Sequence, residues 1–117
     1  MTAKIKIYHN PRCSKSRQTL ELLKSSGIEP DITEYLKTPP SKQELIAILD
    51  MLGLEPRQLM RTKEAEYKEN GLDDENLSRD QLIDAMIQFP KLIERPIVIN
   101  NNKAALGRPP ENILEII

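Results

Sequence analysis

The sequence predicts an α/β fold, a mixed β-sheet flanked by helices and interrupted by a helical insertion, and three stretches carry that expectation. Lys4-Ile5-Lys6-Ile7-Tyr8 alternates polar and apolar side chains, and residues 16–25 after it are helix formers with Leu20 and Leu23 at helical spacing. Residues 55–90 carry no strand signal, while their apolar side chains recur at helical intervals. Arg95-Pro96-Ile97-Val98-Ile99-Asn100 is the clearest strand of the second half, and Asn101-Asn102-Lys103 turns it into an antiparallel partner at 103–106.

The remaining elements follow in order. Gly27 stops the first helix, and residues 28–36 hold a second strand around Ile32, Thr33 and Tyr35, so strand, helix and strand form a right-handed parallel unit. Thr38-Pro39-Pro40-Ser41 breaks the chain. Ser41 followed by Glu44 is a capping box that opens a helix through Leu45, Ile48, Leu49 and Leu52, which Gly53 ends. Leu59 and Met60, then Leu82, Ile83, Met86 and Ile87, mark further helices; Ser78 with Gln81 offers a second capping box, and Phe89-Pro90 ends the last of this group. After the break at Gly107-Arg108-Pro109-Pro110, residues 111–117 place Ile113, Leu114 and Ile117 on one helical face. The order βαβα, a helical insertion at about 41–90, then ββα is compatible with a thioredoxin-like sheet, expected as a single domain over 1–117.

Composition narrows the function classes. A chain of 117 residues suffices for one core and not for two ordinary domains. Charged residues make up 30% of it yet cancel to a net charge of −1, so no overall field favours nucleic acid or a membrane surface. With no Trp and one Phe, base stacking is poorly served, and the core must be built from Leu, Ile, Val and Met. No run is long enough to cross a bilayer, the first residues lack a secretory pattern, and one cysteine cannot form an internal disulfide. The expected setting is the reducing cytoplasm.

The stretch Tyr8-His9-Asn10-Pro11-Arg12-Cys13-Ser14-Lys15-Ser16-Arg17 holds the only cysteine and the only histidine, where a strand becomes a helix. The first turn of a helix leaves N–H groups without intrahelical partners and carries the positive end of the macrodipole, and both stabilise a thiolate. Lys15, Arg12 and Arg17 add positive charge nearby, so the Cys13 pKa should fall. The same geometry suits a small oxyanion. A lone cysteine is often an inert buried hydrophobe, but Asn10, Arg12, Ser14, Lys15 and Ser16 make a polar loop that is hard to bury. His9 either tunes the thiol or ends the strand and hydrogen-bonds the loop. Cys13 to Ser16 reads C-x-x-S, with serine where a resolving cysteine would stand, so an oxidised or covalent state of Cys13 needs an external thiol.

His9-Asn10-Pro11-Arg12-Cys13-Ser14-Lys15-Ser16-Arg17, together with the later segments LMRTKE, ERPIVI and LGRPPE, resembles the ArsC-type, glutaredoxin-coupled arsenate reductase family, most closely its short YfgD-like bacterial branch. The likeness covers nearly the whole chain. It implies a thioredoxin-like fold with a cis Arg95-Pro96 bond opposite the thiol. It also implies Cys13 as nucleophile, and Arg61, Arg95 and Arg108 as the arginines that hold the oxyanion by bidentate hydrogen bonds. His9 and either Lys15 or Arg17 would tune the thiol, and Asn10, Ser14 and Ser16 would supply loop hydrogen bonds. Arsenate is the implied substrate, glutathione the co-substrate and glutaredoxin the protein partner, with no bound cofactor and no metal.

The loop departs from well-known family reductases in carrying Arg12, Ser14 and Lys15 where they have smaller residues, and such a basic loop would also suit another oxyanion or a thiol substrate. The alternative reading is thus a thiol oxidoreductase acting on something other than arsenate, or a redox-responsive regulatory or binding protein of the same fold. Regulators of this fold use a C-x-x-C switch, which Ser16 removes. A cysteine phosphatase loop needs arginine six residues after the cysteine, and Thr19 stands there. One Cys and one His cannot make a four-ligand soft metal site.

Overall fold

The computed structural model describes residues 5–117, so the expected start of the first strand at Lys4 and the reading of the first four residues lie outside it. Packing divides the chain into two compact units: one runs to Thr38 and resumes at Arg95–Ile117, and the other is Pro39–Glu94.

The first unit is a four-stranded mixed sheet. Strand β1 (Lys6–His9) leads into helix α1 (Ser14–Ser25), which returns to strand β2 (Asp31–Glu34); strands β3 (Ile97–Asn100) and β4 (Lys103–Leu106) complete the order β2-β1-β3-β4. β1 and β2 are parallel, with Ile7 opposite Ile32, and the β1–β3 and β3–β4 pairs are antiparallel, with Val98 opposite Ile7 and Ala105. This is the thioredoxin-like arrangement that the element order implied. Asn101 takes a positive φ of 57° in the β3–β4 turn, a conformation that asparagine tolerates well.

One face of this sheet is closed by α1 and the C-terminal segment. Ile7, Leu23, Val98 and Ile113 are fully buried there, with Leu20, Ile28, Ala105 and Ile116 packed around them. Each buried aliphatic side chain contributes about 1.5–3 kcal/mol relative to exposure, so this cluster is the main source of cohesion between helix and sheet. The C-terminal segment is a 3₁₀ helix, Pro110–Glu115, rather than the α-helix expected for 111–117. Its i→i+3 bonds run from Asn112 N–H to the Pro109 carbonyl (3.0 Å) and from Ile116 N–H to the Ile113 carbonyl (3.2 Å). With three residues per turn, Ile113 shares its face with Ile116, and Leu114 and Ile117 stay 47% and 39% exposed instead of joining it.

The second unit is helical: α2 (Lys42–Leu52), α3 (Pro56–Leu59), α4 (Ala65–Glu69) and α5 (Arg79–Gln88), then a 3₁₀ turn at Pro90–Leu92. Both expected capping boxes form, Ser41 with Glu44 and Ser78 with Gln81, and Gly53 ends α2 in the left-handed region at φ 67°. α2 and α5 pack together through a core that includes Leu45, Ile48, Leu49, Leu82, Ile83 and Met86. The guanidinium of Arg57 ties α3 to the chain beyond α4 by donating to Tyr67 Oη and the carbonyls of Leu72 and Asp74. An isolated antiparallel bridge joins Met60 to Ile93, a pairing too short to leave an alternating pattern.

Two X-Pro bonds are cis, the expected Arg95-Pro96 and also Arg108-Pro109. The segments that carry them meet α1 through Gly107, whose N–H donates to the Pro96 carbonyl at 3.0 Å. A Cβ at position 107 would collide with Thr19 Oγ1 and come within 2.7 Å of Pro96 Cγ. Thr19 is itself fully buried and donates to the Lys15 carbonyl at 2.8 Å, so it cannot swing away freely. We expect Gly107→Ala to destabilise the fold by about 1–3 kcal/mol, read as a lower urea midpoint, whereas Gly71→Ala, with open space around its Cβ, acts only through its positive φ of 65°.

Candidate functional site

The loop after β1 folds on itself before α1 begins. Asn10 accepts the Arg12 N–H at its Oδ1 (3.0 Å), and its carbonyl accepts the Cys13 N–H (3.0 Å). Cys13 then adopts extended backbone (φ −95°, ψ 124°) as the N-cap of α1, with its carbonyl taking the first helical bond from Arg17 N–H. This local turn places the sulfur over the open N–H groups of the first helical turn.

Ser16 braces the loop from beneath. It is fully buried, accepts the Asn10 N–H at 3.0 Å, and its Oγ lies 2.6 Å from His9 Nδ1. Burial is the main influence on His9 and pushes its pKa below the ordinary value; Glu34 opposes the shift, and Lys24 and Arg17 add to it. A neutral imidazole fits this contact, with the serine hydroxyl donating to Nδ1 and the ring proton assigned to Nε2. Of the two roles open to His9 in the sequence, the geometry places it in the bracing of the loop.

The thiol is only 8% exposed, and burial by itself would push its pKa up. The Ser16 N–H, the Arg95 guanidinium and the Lys15 N–H together outweigh that, and the pKa lies below the ordinary thiol value. The sulfur does not complete an ordinary side-chain cap bond; the N–H groups act on it as oriented dipoles. The leading side-chain charge on the sulfur is therefore Arg95, from the start of β3, ahead of Arg12, Lys15 and Arg17, the neighbours expected to tune it. Those three are exposed, and the Arg17 guanidinium donates instead to the Pro11 carbonyl at 3.1 Å. Lys15 contributes through its backbone.

Of the other expected site residues, Ser14 is exposed in the first turn of α1, and Arg108 is exposed beside its cis proline, its carbonyl accepting from Asn112 Nδ2 at 3.1 Å. Arg61 belongs to the helical unit, where its N–H donates to the Leu92 carbonyl at 2.7 Å and its guanidinium pairs with Glu64. The structure thus brings Cys13, Asn10, Lys15, Ser16, His9 and Arg95 together in one unit. Thr19 and Gly107 also help to fix the Arg95 segment against α1, and neither was singled out from the sequence; a glycine before Arg-Pro-Pro reads only as a break. Among the described residues no cluster of His, Cys, Asp and Glu is suited to a metal ion.

The family model for the ArsC family matches residues 8–116. The chain belongs to the ArsC family. It is 56% identical to the Escherichia coli (strain K12) protein YfgD, over all of this chain and 99% of that one, and 53% identical to an arsenate reductase of Neisseria meningitidis, over 97% of each. The solved arsenate reductase from Vibrio cholerae superposes with a TM-score of 0.95 at 53% identity, over the full length of both chains.

Two outcomes test how this ArsC-family site is built. At neutral pH, Arg95→Gln should slow alkylation of Cys13 by iodoacetamide by raising the thiol pKa, while Arg17→Gln leaves the rate near that of the native protein. For His9, above its ordinary pKa of 6.5 the ring is neutral in both folded and unfolded chains. Below it the unfolded chain takes up a proton that the folded chain refuses until its lower pKa is reached, so folding stability falls as pH drops through this window. The urea midpoint of His9→Gln should therefore decline less between about pH 7.5 and about pH 5 than that of the native protein.

Proposed function

We propose that this protein reduces arsenate to arsenite, with Cys13 as the nucleophile and glutathione and glutaredoxin as the reductants. The observation that carries the reading is a single thiol with a depressed pKa, held at a helix N-terminus beside an arginine in a chain of the ArsC family. The same arrangement that favours a thiolate favours a bound oxyanion, because both draw on unpaired N–H groups and a guanidinium. Arg95, with Arg108, would hold the arsenate oxygens, and the N–H groups of Lys15 and Ser16 would stabilise charge as the sulfur attacks.

The electron count explains the external thiols. The Cys13 thiolate attacks arsenic(V), an S–As bond forms, and one oxygen leaves as water after protonation. A glutathione thiol displaces a second oxygen in the same way, which leaves arsenic bonded to two sulfurs and still pentavalent. A glutaredoxin thiolate then attacks the glutathione sulfur; the S–As bond breaks, its electron pair stays on arsenic, and glutaredoxin leaves as the mixed disulfide with glutathione. Arsenic is now trivalent, and water releases arsenite and restores the Cys13 thiol. Two electrons are needed and this chain's only cysteine cannot provide them by forming an internal disulfide. The Ser16 hydroxyl, at the C-x-x-S position, is occupied by His9 and Asn10. A cytoplasmic setting, where glutathione is kept reduced, is part of this proposal.

The test is arsenate-dependent NADPH oxidation coupled through glutathione, glutaredoxin and glutathione reductase. Cys13→Ser should fall to the rate without enzyme, and Arg95→Gln should lower kcat/KM for arsenate by about a hundredfold. Equal rates for the native protein and Cys13→Ser would remove the reading.

A further inference from the structure

The loop at the end of β1 has the end of β2 on one side and the start of β3 on the other, because β1 lies between those strands. The two flanks are furnished differently. Arg95 comes from the β3 side. On the β2 side a pocket of about 400 Å³ is lined by Asn10, Pro11 and Arg12 of the thiol loop and by Glu34, Leu36 and Lys37. A larger hollow of about 580 Å³, bordered by Lys24, Gly27 and Pro30, lies at the opposite end of β2, away from the thiol.

The pocket beside the loop presents two cations, Arg12 and Lys37, one carboxylate, Glu34, and apolar ground at Pro11 and at Leu36, which is 40% exposed. Glu34 and Lys37 lie 3.6 Å apart with side chains 43% and 78% exposed. A pair in that setting contributes little to stability, so a ligand can replace either partner at small cost. The complementary ligand carries two anionic groups and one cationic group on a short flexible skeleton. Arg12 of this lining stands directly before Cys13, whose thiol has no second cysteine in its chain to resolve it, so the ligand must also carry a thiol. Glutathione meets each requirement, with two carboxylates, one ammonium and a central cysteine, and the pocket falls within the roughly 300–1,000 Å³ typical of small-molecule sites.

We propose that this pocket is the docking site for free glutathione, with Lys37 and Arg12 facing its carboxylates and Glu34 its ammonium. The proposal rests on the reading of Cys13 as a thiol resolved from outside. It divides the labour around the sulfur: oxyanion on the β3 flank, thiol peptide on the β2 flank.

Thiol–disulfide exchange tests it without arsenate. The Cys13 thiolate attacks one sulfur of oxidised glutathione, the new Cys13–glutathione bond forms as the old S–S bond breaks, and a glutathione thiolate leaves with the electron pair. The rate is compared with that for the uncharged disulfide of 2-mercaptoethanol, for the full-length native protein and for Lys37→Glu and Arg12→Glu/Lys37→Glu, all positions exposed enough to tolerate the change. Both reagents share the attacking sulfur, so their rate ratio cancels any change in its own reactivity. Lys37→Glu should lower the ratio in favour of oxidised glutathione about fivefold, and the double variant further. An unchanged ratio overturns the proposal, and if coupled turnover falls in the same variants the charges face glutaredoxin instead. A native protein that turns over arsenate with a ratio insensitive to these variants keeps the proposed function and loses the pocket; one with no arsenate turnover and a charge-dependent ratio loses arsenate and keeps the pocket.

Discussion

The interaction on which the site depends is that between the Cys13 sulfur and the open N–H groups of the first turn of α1, reinforced by the Arg95 guanidinium. Burial alone would keep this thiol protonated and inert. The balance tips only because the N-cap position aims several fixed dipoles at one atom and the start of β3 brings a full charge beside it. The N–H contribution is built into the backbone, and the guanidinium of Arg95 adds to it, so the thiol pKa is lowered despite burial.

That arrangement requires a rigid loop, and the chain provides it with few residues. Asn10 uses its side chain and carbonyl to fold the turn, while Ser16 grips the Asn10 N–H and His9 from within the helix. From the other side, Gly107 and Thr19 let the segment after β4 approach α1 closely, which holds Pro96 and hence Arg95 in place. The helix dipole, the brace and the arginine are thus parts of one packed object. Small changes at buried, chemically silent positions such as Thr19 or Gly107 should reach the sulfur through geometry.

Much of the fold was legible in the sequence because its signals are local. Capping boxes at Ser41 and Ser78 and the stop at Gly53 each depend on residues within a turn of one another, and each forms as read; the strand before Cys13 also forms, over Lys6–His9, but with Ile7, Tyr8 and His9 all buried rather than alternating. The C-terminal segment was misjudged for a physical reason: six residues entered through two prolines favour the tighter 3₁₀ spacing, and a period of three exposes what a period of 3.6 would bury. At the site, Cys13 and its helix terminus were visible, and positive charge was expected from its sequence neighbours Arg12, Lys15 and Arg17. Arg95 leaves no such local signal, because sheet pairing carries it in from far along the chain. Only the resemblance had singled out Arg95, and it did so as an oxyanion ligand rather than as the partner of the thiol.

The most direct measurement is an ultraviolet titration of thiolate absorbance at Cys13, the only thiol in the chain, in the folded protein and again in the chain unfolded by urea. The account predicts a folded midpoint clearly below the unfolded one, so that this ionisation adds stability above the unfolded pKa and the gain disappears as pH falls through the folded value. A folded midpoint equal to or above the unfolded one would mean that burial wins over the helix terminus and Arg95, and would contradict the account at its base.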